Sequence, residues 1–326
     1  MKKVLIIGAG YAGRSIAQRL KAHAAVTIVE EKERVWNREL FFPWLAKKAT
    51  DKEFIIDPAR FCAQEKLPYV AARVEKIYPL KKEIGLSTKE RLGYDDLIIA
   101  AGSTAVKKHE CGGDAKQGVF YLGQGDPKEL SRLLNEATYV VVEARTYLGI
   151  TAAAILQRTL PEKETKVVLT NPTLRAVWEQ HFPDDRLQAY DDEINECIGE
   201  GMVKAVRIKN NKVLAADIVL FDNGLFPQTQ QFEQSGLFTF QQNALAVNDS
   251  LSTPLEHIWA LGDVINAQLS DDTILLRGTG GIGRQADRLA HALIPEEGSL
   301  NQLPPQPLSE EEMLRYIKET ILTALP

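Results

Sequence analysis

Short apolar runs that close on small residues alternate with helix-spaced segments along most of the chain. Residues 3–8 (KVLIIG) form a short apolar run ending in glycine. That is the pattern of a strand buried on both faces of a sheet. Residues 12–23 follow at helical spacing, with Ile16, Ala17 and Leu20 in phase, and residues 25–30 (AVTIVE) return as a second strand. Strand, helix and strand in that order predict a parallel crossover. Residues 38–62 read as loop plus helix, and residues 68–99 alternate as strands up to DDLIIAAG.

The same plan starts again near Thr138. Residues 140–154 (VVVEARTYLGITAAA) read as a buried strand running into a helix of small residues. KVVLT at 166–170 and ADIVLFDNG at 216–224 supply further strands. Between the two plans the chain turns glycine-rich after AAGST (CGGDAKQG), which marks a domain crossing. LEHIWALGDV at 255–264 and a helix through Arg284 to Leu293 return to the first plan. Residues 295–308, rich in proline and polar residues, read as a linker. The final stretch opens at Ser309 with an acidic first turn and puts Leu314, Ile317, Ile321 and Leu325 on one face of a helix. The expected fold is α/β, with two Rossmann-like, doubly wound, three-layer dinucleotide-binding domains repeated in one chain.

Composition narrows the partners. The 326 residues, 44% of them hydrophobic, suffice for two medium domains with cores of their own. A net charge of -5 without a long basic run argues against nucleic acid as a partner. Cys62, Cys111 and Cys197 stand far apart, so neither a zinc ribbon nor a CxxC redox pair is expected. Scattered thiols fit a reducing compartment, and no segment reaches bilayer-spanning length, which predicts a cytoplasmic protein. The C-terminal helix leaves open a peripheral membrane contact or a homodimer through its apolar face. The five histidines do not cluster at ligand spacing, so no metal is assigned.

The chemistry sits in the glycines. GAGYAG places Gly8, Gly10 and Gly13 in GxGxxG spacing between a strand and a helix. The first glycine permits a tight turn, the second lets a pyrophosphate approach, and the third packs helix on strand. The helix N-terminus then offers N–H groups and partial positive charge to phosphate. Glu30, ending the second strand, is spaced for a carboxylate that accepts ribose hydroxyls. Asp263 follows Gly262 at a strand-to-helix turn, where a carboxylate can accept hydrogen bonds from a polyol.

GxGxxG, then an acid, then IIAAG, then a second βαβ unit, then ALGD: this order resembles the FAD-dependent pyridine nucleotide-disulfide oxidoreductases over about residues 1–294. NRELFFPWLAKKAT is similar to the corresponding segment of type II NADH dehydrogenases, sulfide:quinone reductases and ferroptosis-suppressor-like flavoproteins. The resemblance implies that Gly8, Gly10 and Gly13 hold the FAD pyrophosphate, Glu30 the adenosine ribose and Asp263 the ribityl chain. It counts Tyr11, Ala12, Glu31, Ala101, Gly102 and Gly262 among the cofactor-binding residues. It puts Phe42 to Trp44 and the helix start near Ile282 beside the flavin ring. It implies a discontinuous FAD domain (1–110 and 233–298), an NAD(P)-binding-like domain (111–232), and a linker with an amphipathic helix (299–326).

The second loop departs from the family's pattern. Ala144, Thr146 and Gly149 stand where three glycines are usual, and the strand after it ends in Thr170 and Asn171 rather than an acid. These departures weigh against NAD(P)H, although Arg145 and Arg175 offer contacts to a phosphate. The leading expectation is an FAD-dependent, NAD(P)H dehydrogenase-like oxidoreductase. It passes two electrons from a small-molecule donor through flavin to a quinone or other small acceptor. Two alternatives stay open. One is a non-catalytic flavin-binding redox sensor or partner module. The other is a thiol or sulfide oxidoreductase using Cys111, whose neighbours Lys107, Lys108 and His109 would favour a thiolate. Cys197 is expected in the core at helical spacing with Ile194.

Overall fold

A computed structural model describes residues 1–37, 40–181, 187–233, 236–241, 243–265 and 279–294. The linker and C-terminal helix expected beyond residue 298 lie outside the described residues. Contacts divide the chain into two compact units. Unit 1 takes Met1–Glu39, Ile55–Ser103 and the described part of Pro227–Ser309; unit 2 takes Leu40–Phe54 and Thr104–Phe226. The chain therefore changes unit after Ser103 and after Phe226, a few residues ahead of the crossings read from composition.

The strands of the two parallel sheets, in chain order, are β1 (Lys3–Ile7), β2 (Ala25–Glu30), β3 (Tyr69–Ala71), β4 (Asp96–Ile99), β5 (Val119–Tyr121), β6 (Tyr139–Ala144), β7 (Glu164–Leu169), β8 (Gln188–Asp191), β9 (Ile218–Asp222) and β10 (Ile258–Ala260). The helices used below are α1 (Tyr11–Leu20), α2 (Phe41–Leu45), α3 (Pro127–Glu136), α4 (Tyr147–Thr159) and α5 (Thr279–Leu293).

Unit 1 orders its sheet β10-β4-β1-β2-β3, with every neighbouring pair parallel. Val4 to Ile7 are all buried, as an apolar run covered on both faces should be. α1 turns Ala12, Ile16, Ala17 and Leu20 inward and packs on α5. Three antiparallel strands, Val74–Tyr78, Glu83–Leu86 and Arg91–Gly93, add Val74, Ile77, Ile84 and Leu86 to the same core.

Unit 2 repeats the design, ordering its parallel sheet β5-β9-β6-β7-β8. In α4 the run Ala152, Ala153 and Ala154 is buried, so the helix backbone can lie close to β6. A second antiparallel trio, Ile194–Ile198, Ala205–Ile208 and Val213–Ala215, packs Ile194, Val206 and Leu214 with Val141, Val168 and Val219 of the parallel sheet. Cys197 is in the core as expected, but on a strand rather than a helix. Leu40–Phe54 belongs to this unit and is held together by its own aromatic residues. Trp44 stacks on Phe54 at 4.7 Å between ring centroids, Phe41 lies against both, and α2 packs on α4. The Trp44 indole N–H donates to Asp51 at 2.8 Å.

The fold is thus α/β with two Rossmann-like units that share the four-strand order β4-β1-β2-β3 and β9-β6-β7-β8, the edge strand coming last in unit 1 (β10) and first in unit 2 (β5). This equivalence lets position be compared with position: β1 with β6, β2 with β7, β4 with β9, and α1 with α4.

Candidate functional site

The loop after β1 is built by close approach. Gly8 has a φ of +106°, and a Cβ added there would sit 2.4 Å from the Ala100 carbonyl oxygen, so only glycine fits. A Cβ on Gly13 would meet the Gly8 carbonyl oxygen at 1.9 Å, which fixes α1 tightly against the loop. Gly10 differs. It is the N-cap of α1 at φ −63° and ψ −173°, a conformation open to any residue, and an added Cβ would meet nothing within 4 Å. The protein's own packing therefore gives no reason for glycine at position 10.

Gly10 also supplies no side-chain cap to α1. The first turn of a helix offers N–H groups that its own ladder does not use, together with the positive end of the helix dipole. The N-terminus of α1 thus has open space at Gly10 and no side-chain cap from that residue. Tyr11 and Ala12 form its first turn, with the Tyr11 hydroxyl on the side of Gly283 in α5.

Glu30 closes the loop from the side. One carboxylate oxygen accepts the Ala9 N–H at 3.0 Å and the other accepts the Lys32 N–H at 3.0 Å. Glu31, next along, is exposed. From the other flank, Ala101 lies beside the loop, its Cα 3.4 Å from the Cβ position of Gly8. Gly102 follows at φ +72° with open space where a side chain would be. The segment after β10 completes the arrangement. A Cβ on Gly262 (φ +82°) would meet the Ala12 Cβ at 2.8 Å. Its N–H donates to the buried Gln285 of α5 at 2.6 Å. The Ser103 hydroxyl donates to the Asp263 carboxylate at 2.9 Å. Arg284 keeps a buried Nε that has no hydrogen-bond partner among the described residues.

Unit 1 therefore gathers Gly8, Gly10, Tyr11, Ala12, Gly13, Ala101, Gly102, Gly262 and Asp263 around the N-terminus of α1, with Glu30 beside them. A glycine with open space at its missing side chain and a helix start without a side-chain cap fit an anionic dinucleotide such as FAD.

The equivalent loop of unit 2 is different in kind. α4 is N-capped by Thr146, whose hydroxyl oxygen accepts the Leu148 N–H at 3.2 Å. Asp222, at the end of β9 and 2% exposed, puts one carboxylate oxygen at 2.8 Å from both the Thr146 N–H and the Thr146 hydroxyl, and at 2.9 Å from the Gly149 N–H. A Cβ on Gly149 would meet that oxygen and the Ala144 Cβ, each at 2.8 Å. No acid stands where Glu30 does in unit 1: the residue in register with Ala144 on β7 is the buried Leu169.

The cations proposed for phosphate are engaged elsewhere. Arg145 donates to Glu193 at 3.0 Å, and Arg175 donates to Asp191 at 2.8 Å and to the Ala189 carbonyl at 3.2 Å. Glu193 also accepts from Lys108 and Lys209, and these hydrogen bonds hold its carboxyl down from 4.5 to about 2. Lys108 reaches the fully buried Glu143 with both carboxylate oxygens at 3.0 Å. Burial alone would pull Lys108 down, but its bonds to Glu193 and Glu143 outweigh that and raise it.

The same network corrects the reading of Cys111. The thiol is 2% exposed and donates to the Ile194 carbonyl at 3.2 Å, and burial pushes it up to about 12. Lys108 is three positions away in sequence, but its ammonium is spent on the two glutamates. A thiolate is disfavoured, and the thiol or sulfide chemistry proposed for Cys111 has no support in this geometry. Among the described residues no helix is long and apolar enough to cross a membrane.

Comparison with known proteins follows the same outline. The family described as pyridine nucleotide-disulphide oxidoreductase matches residues 2–287. A ferredoxin–NAD(P)+ reductase of Sphingomonas sp is 27% identical over 280 residues, which cover 80% of this chain and 66% of the relative. Apoptosis-inducing factor 3 of Homo sapiens is 26% identical over 285 residues, covering 82% of this chain and 46% of that protein. The chain thus spans less than two thirds of the length of either relative. Among solved structures, the covalent putidaredoxin reductase–putidaredoxin complex matches with a TM-score of 0.78 at 20% identity, over 90% of this chain and 75% of the other.

Proposed function

The chain belongs to the pyridine nucleotide-disulphide oxidoreductase family of FAD-dependent enzymes, and from that premise we propose that it is an oxidoreductase holding FAD in unit 1 and passing two electrons to a separate acceptor. The observation that carries the assignment is Gly10, whose absent side chain leaves open space at an uncapped helix N-terminus. Bound there, FAD supplies a carrier that takes up two electrons from a donor and gives them to an acceptor.

The chain's own residues hold and orient the cofactor. Gly10, Ala12 and Gly13 present the α1 N-terminus to the pyrophosphate, with Tyr11 in the same turn. Glu30, already fixed by the Ala9 and Lys32 N–H groups, accepts the adenosine ribose hydroxyls, and exposed Glu31 adds negative charge beside it. Asp263, steadied by the Ser103 hydroxyl, faces the ribityl chain. Ala101, Gly102 and Gly262 keep the walls of the site free of side chains. Unit 2, with the second βαβ loop, is read from the family as the NAD(P)-binding-like half, with NAD(P)H a weakly held donor or replaced by another small reductant.

For the acceptor, the Sphingomonas relative's name supports a ferredoxin-type protein, two molecules of which would take one electron each. A quinone or another small molecule is the alternative drawn from the NREL–FFPWL segment. Membrane contact or dimerisation through the C-terminal helix rests on residues outside those described. A second reading, a flavin-binding redox sensor or partner module without turnover, is favoured by the internally satisfied loop of unit 2. The test is anaerobic reduction of the FAD-loaded protein by NADH and by NADPH, followed by reoxidation with a ferredoxin-type protein, a quinone or oxygen. Reduction and reoxidation through any pair support the enzyme. An FAD-loaded protein that dithionite reduces, but that turns over with none of these pairs, supports the sensor.

A further inference from the structure

The two loops, compared position by position, single out one residue. In unit 1 the β1–β4 register ends at Ile7 opposite Ile99, so the tight-turn glycine, Gly8, stands opposite Ala100. In unit 2 the β6–β9 register places Ala144, the counterpart of Gly8, opposite Asp222. Where one sheet has a methyl group, the other has a carboxylate. That carboxylate reaches the N-terminus of α4 and takes the Thr146 N–H, the Thr146 hydroxyl and the Gly149 N–H on a single oxygen at 2.8–2.9 Å. The Leu148 N–H is taken by the Thr146 hydroxyl oxygen. These are the donors that a glycine-rich loop offers to a pyrophosphate.

We propose that Asp222 is a resident anion that occupies the place of a dinucleotide pyrophosphate at the α4 N-terminus and thereby sets this chain's affinity for nicotinamide dinucleotides. A bound pyrophosphate would have to displace the carboxylate from three hydrogen bonds and then sit beside its charge. Nearby cations do not relieve that repulsion, because Arg145, Arg175, Lys108 and Lys209 are each engaged with carboxylates of unit 2. The effect acts on the pyrophosphate, which NADH, NADPH and ADP-ribose share. It therefore weakens all three alike and leaves a nucleoside without phosphates untouched.

This deepens the oxidoreductase reading and rests on it. FAD uptake and nucleotide binding are measured separately, so failure of one is distinct from failure of the other. The experiment is isothermal titration of the full-length, FAD-loaded protein, as wild type, Asp222→Asn and Asp222→Ala, with NADH, NADPH, ADP-ribose and adenosine. Asp222→Asn keeps an acceptor for the three donors and removes only the charge, so it guards against loss of fold in the alanine variant. The expected result is Kd at least about tenfold lower in the variants for all three phosphorylated ligands, with adenosine unchanged. Three results overturn the proposal: a wild-type Kd for NADH already below about 10 μM, variants that bind no more tightly than wild type, or tightening that extends to adenosine.

Discussion

Alanine at Gly10 separates what the backbone requires from what a ligand requires. In the protein alone the substitution is sterically free, since the new Cβ meets nothing within 4 Å at a φ of −63°. Two small energetic effects then oppose each other. Alanine is a poorer N-cap than glycine, by roughly 0.5–1 kcal/mol. Removing a glycine from the unfolded chain stabilises by about 0.4–1 kcal/mol. Apoprotein stability should thus change by no more than about 0.5 kcal/mol, the difference of those ranges.

With FAD the outcome reverses, because the methyl group fills the space through which a pyrophosphate reaches the helix N–H groups. Losing one charge-assisted hydrogen bond costs roughly 1.5–3 kcal/mol, which is about tenfold to a hundredfold in Kd. Gly13→Ala is the contrasting control. Its Cβ would lie 1.9 Å from the Gly8 carbonyl oxygen, an overpacking that costs about 1–3 kcal/mol with or without ligand. Thermal unfolding of the apoproteins and FAD titration by fluorescence quenching read the two effects apart. The reasoning is refuted if Gly10→Ala binds FAD as tightly as wild type, or if its apoprotein loses as much stability as Gly13→Ala.

Further outcomes follow from unit 2. Glu143→Ala takes from Lys108 its fully buried partner and leaves it Glu193 alone, and urea unfolding should show a loss of about 3 kcal/mol, the lower end for a broken buried pair; a loss under about 1 kcal/mol would contradict a buried pair. Glu193, held down to about 2 from 4.5 by Lys108 and Lys209, contributes stability that is fully present above its unfolded value and is lost as pH falls toward 2. The melting temperature should therefore drop through that acid window, and Glu193→Gln should flatten the drop; an unchanged acid profile in the variant would exclude the assignment. Cys62, Cys111 and Cys197 are all buried, with thiols pushed up to about 11, 12 and 11. A thiol reagent at neutral pH should label none of them until the protein is denatured, and rapid native labelling of Cys111 would restore the thiol reading.

What the sequence made legible was local. The first loop declares itself because its glycine spacing lies within six residues between a strand and a helix, even though Gly8 itself is fixed by the distant Ala100 and only Gly13 by its neighbour Gly8. The parallel βαβ units were legible from apolar runs and crossovers, the order of their strands was not. Asp222 was not legible, because it acts on Thr146 and Gly149 from more than 70 positions away and reads in sequence as the end of an ordinary strand. The departures at Ala144 and Thr146 were visible as missing glycines, but not the carboxylate that takes the loop's donors. Cys111 misled for the same reason. Its lysine and histidine neighbours in the chain suggested a thiolate, whereas in space Lys108 turns to Glu143 and Glu193. Leu40–Phe54 was read as part of the first domain, and only the packing of α2 on α4 shows that it clusters with the second unit.

The most direct test of FAD binding in unit 1 is to equilibrate the purified protein with FAD, desalt it and record its visible spectrum. About one FAD retained per chain, with Glu30→Ala and Asp263→Ala retaining less, is the predicted result. A protein that emerges colourless, and whose fluorescence shows no FAD binding, would contradict the assignment at its root.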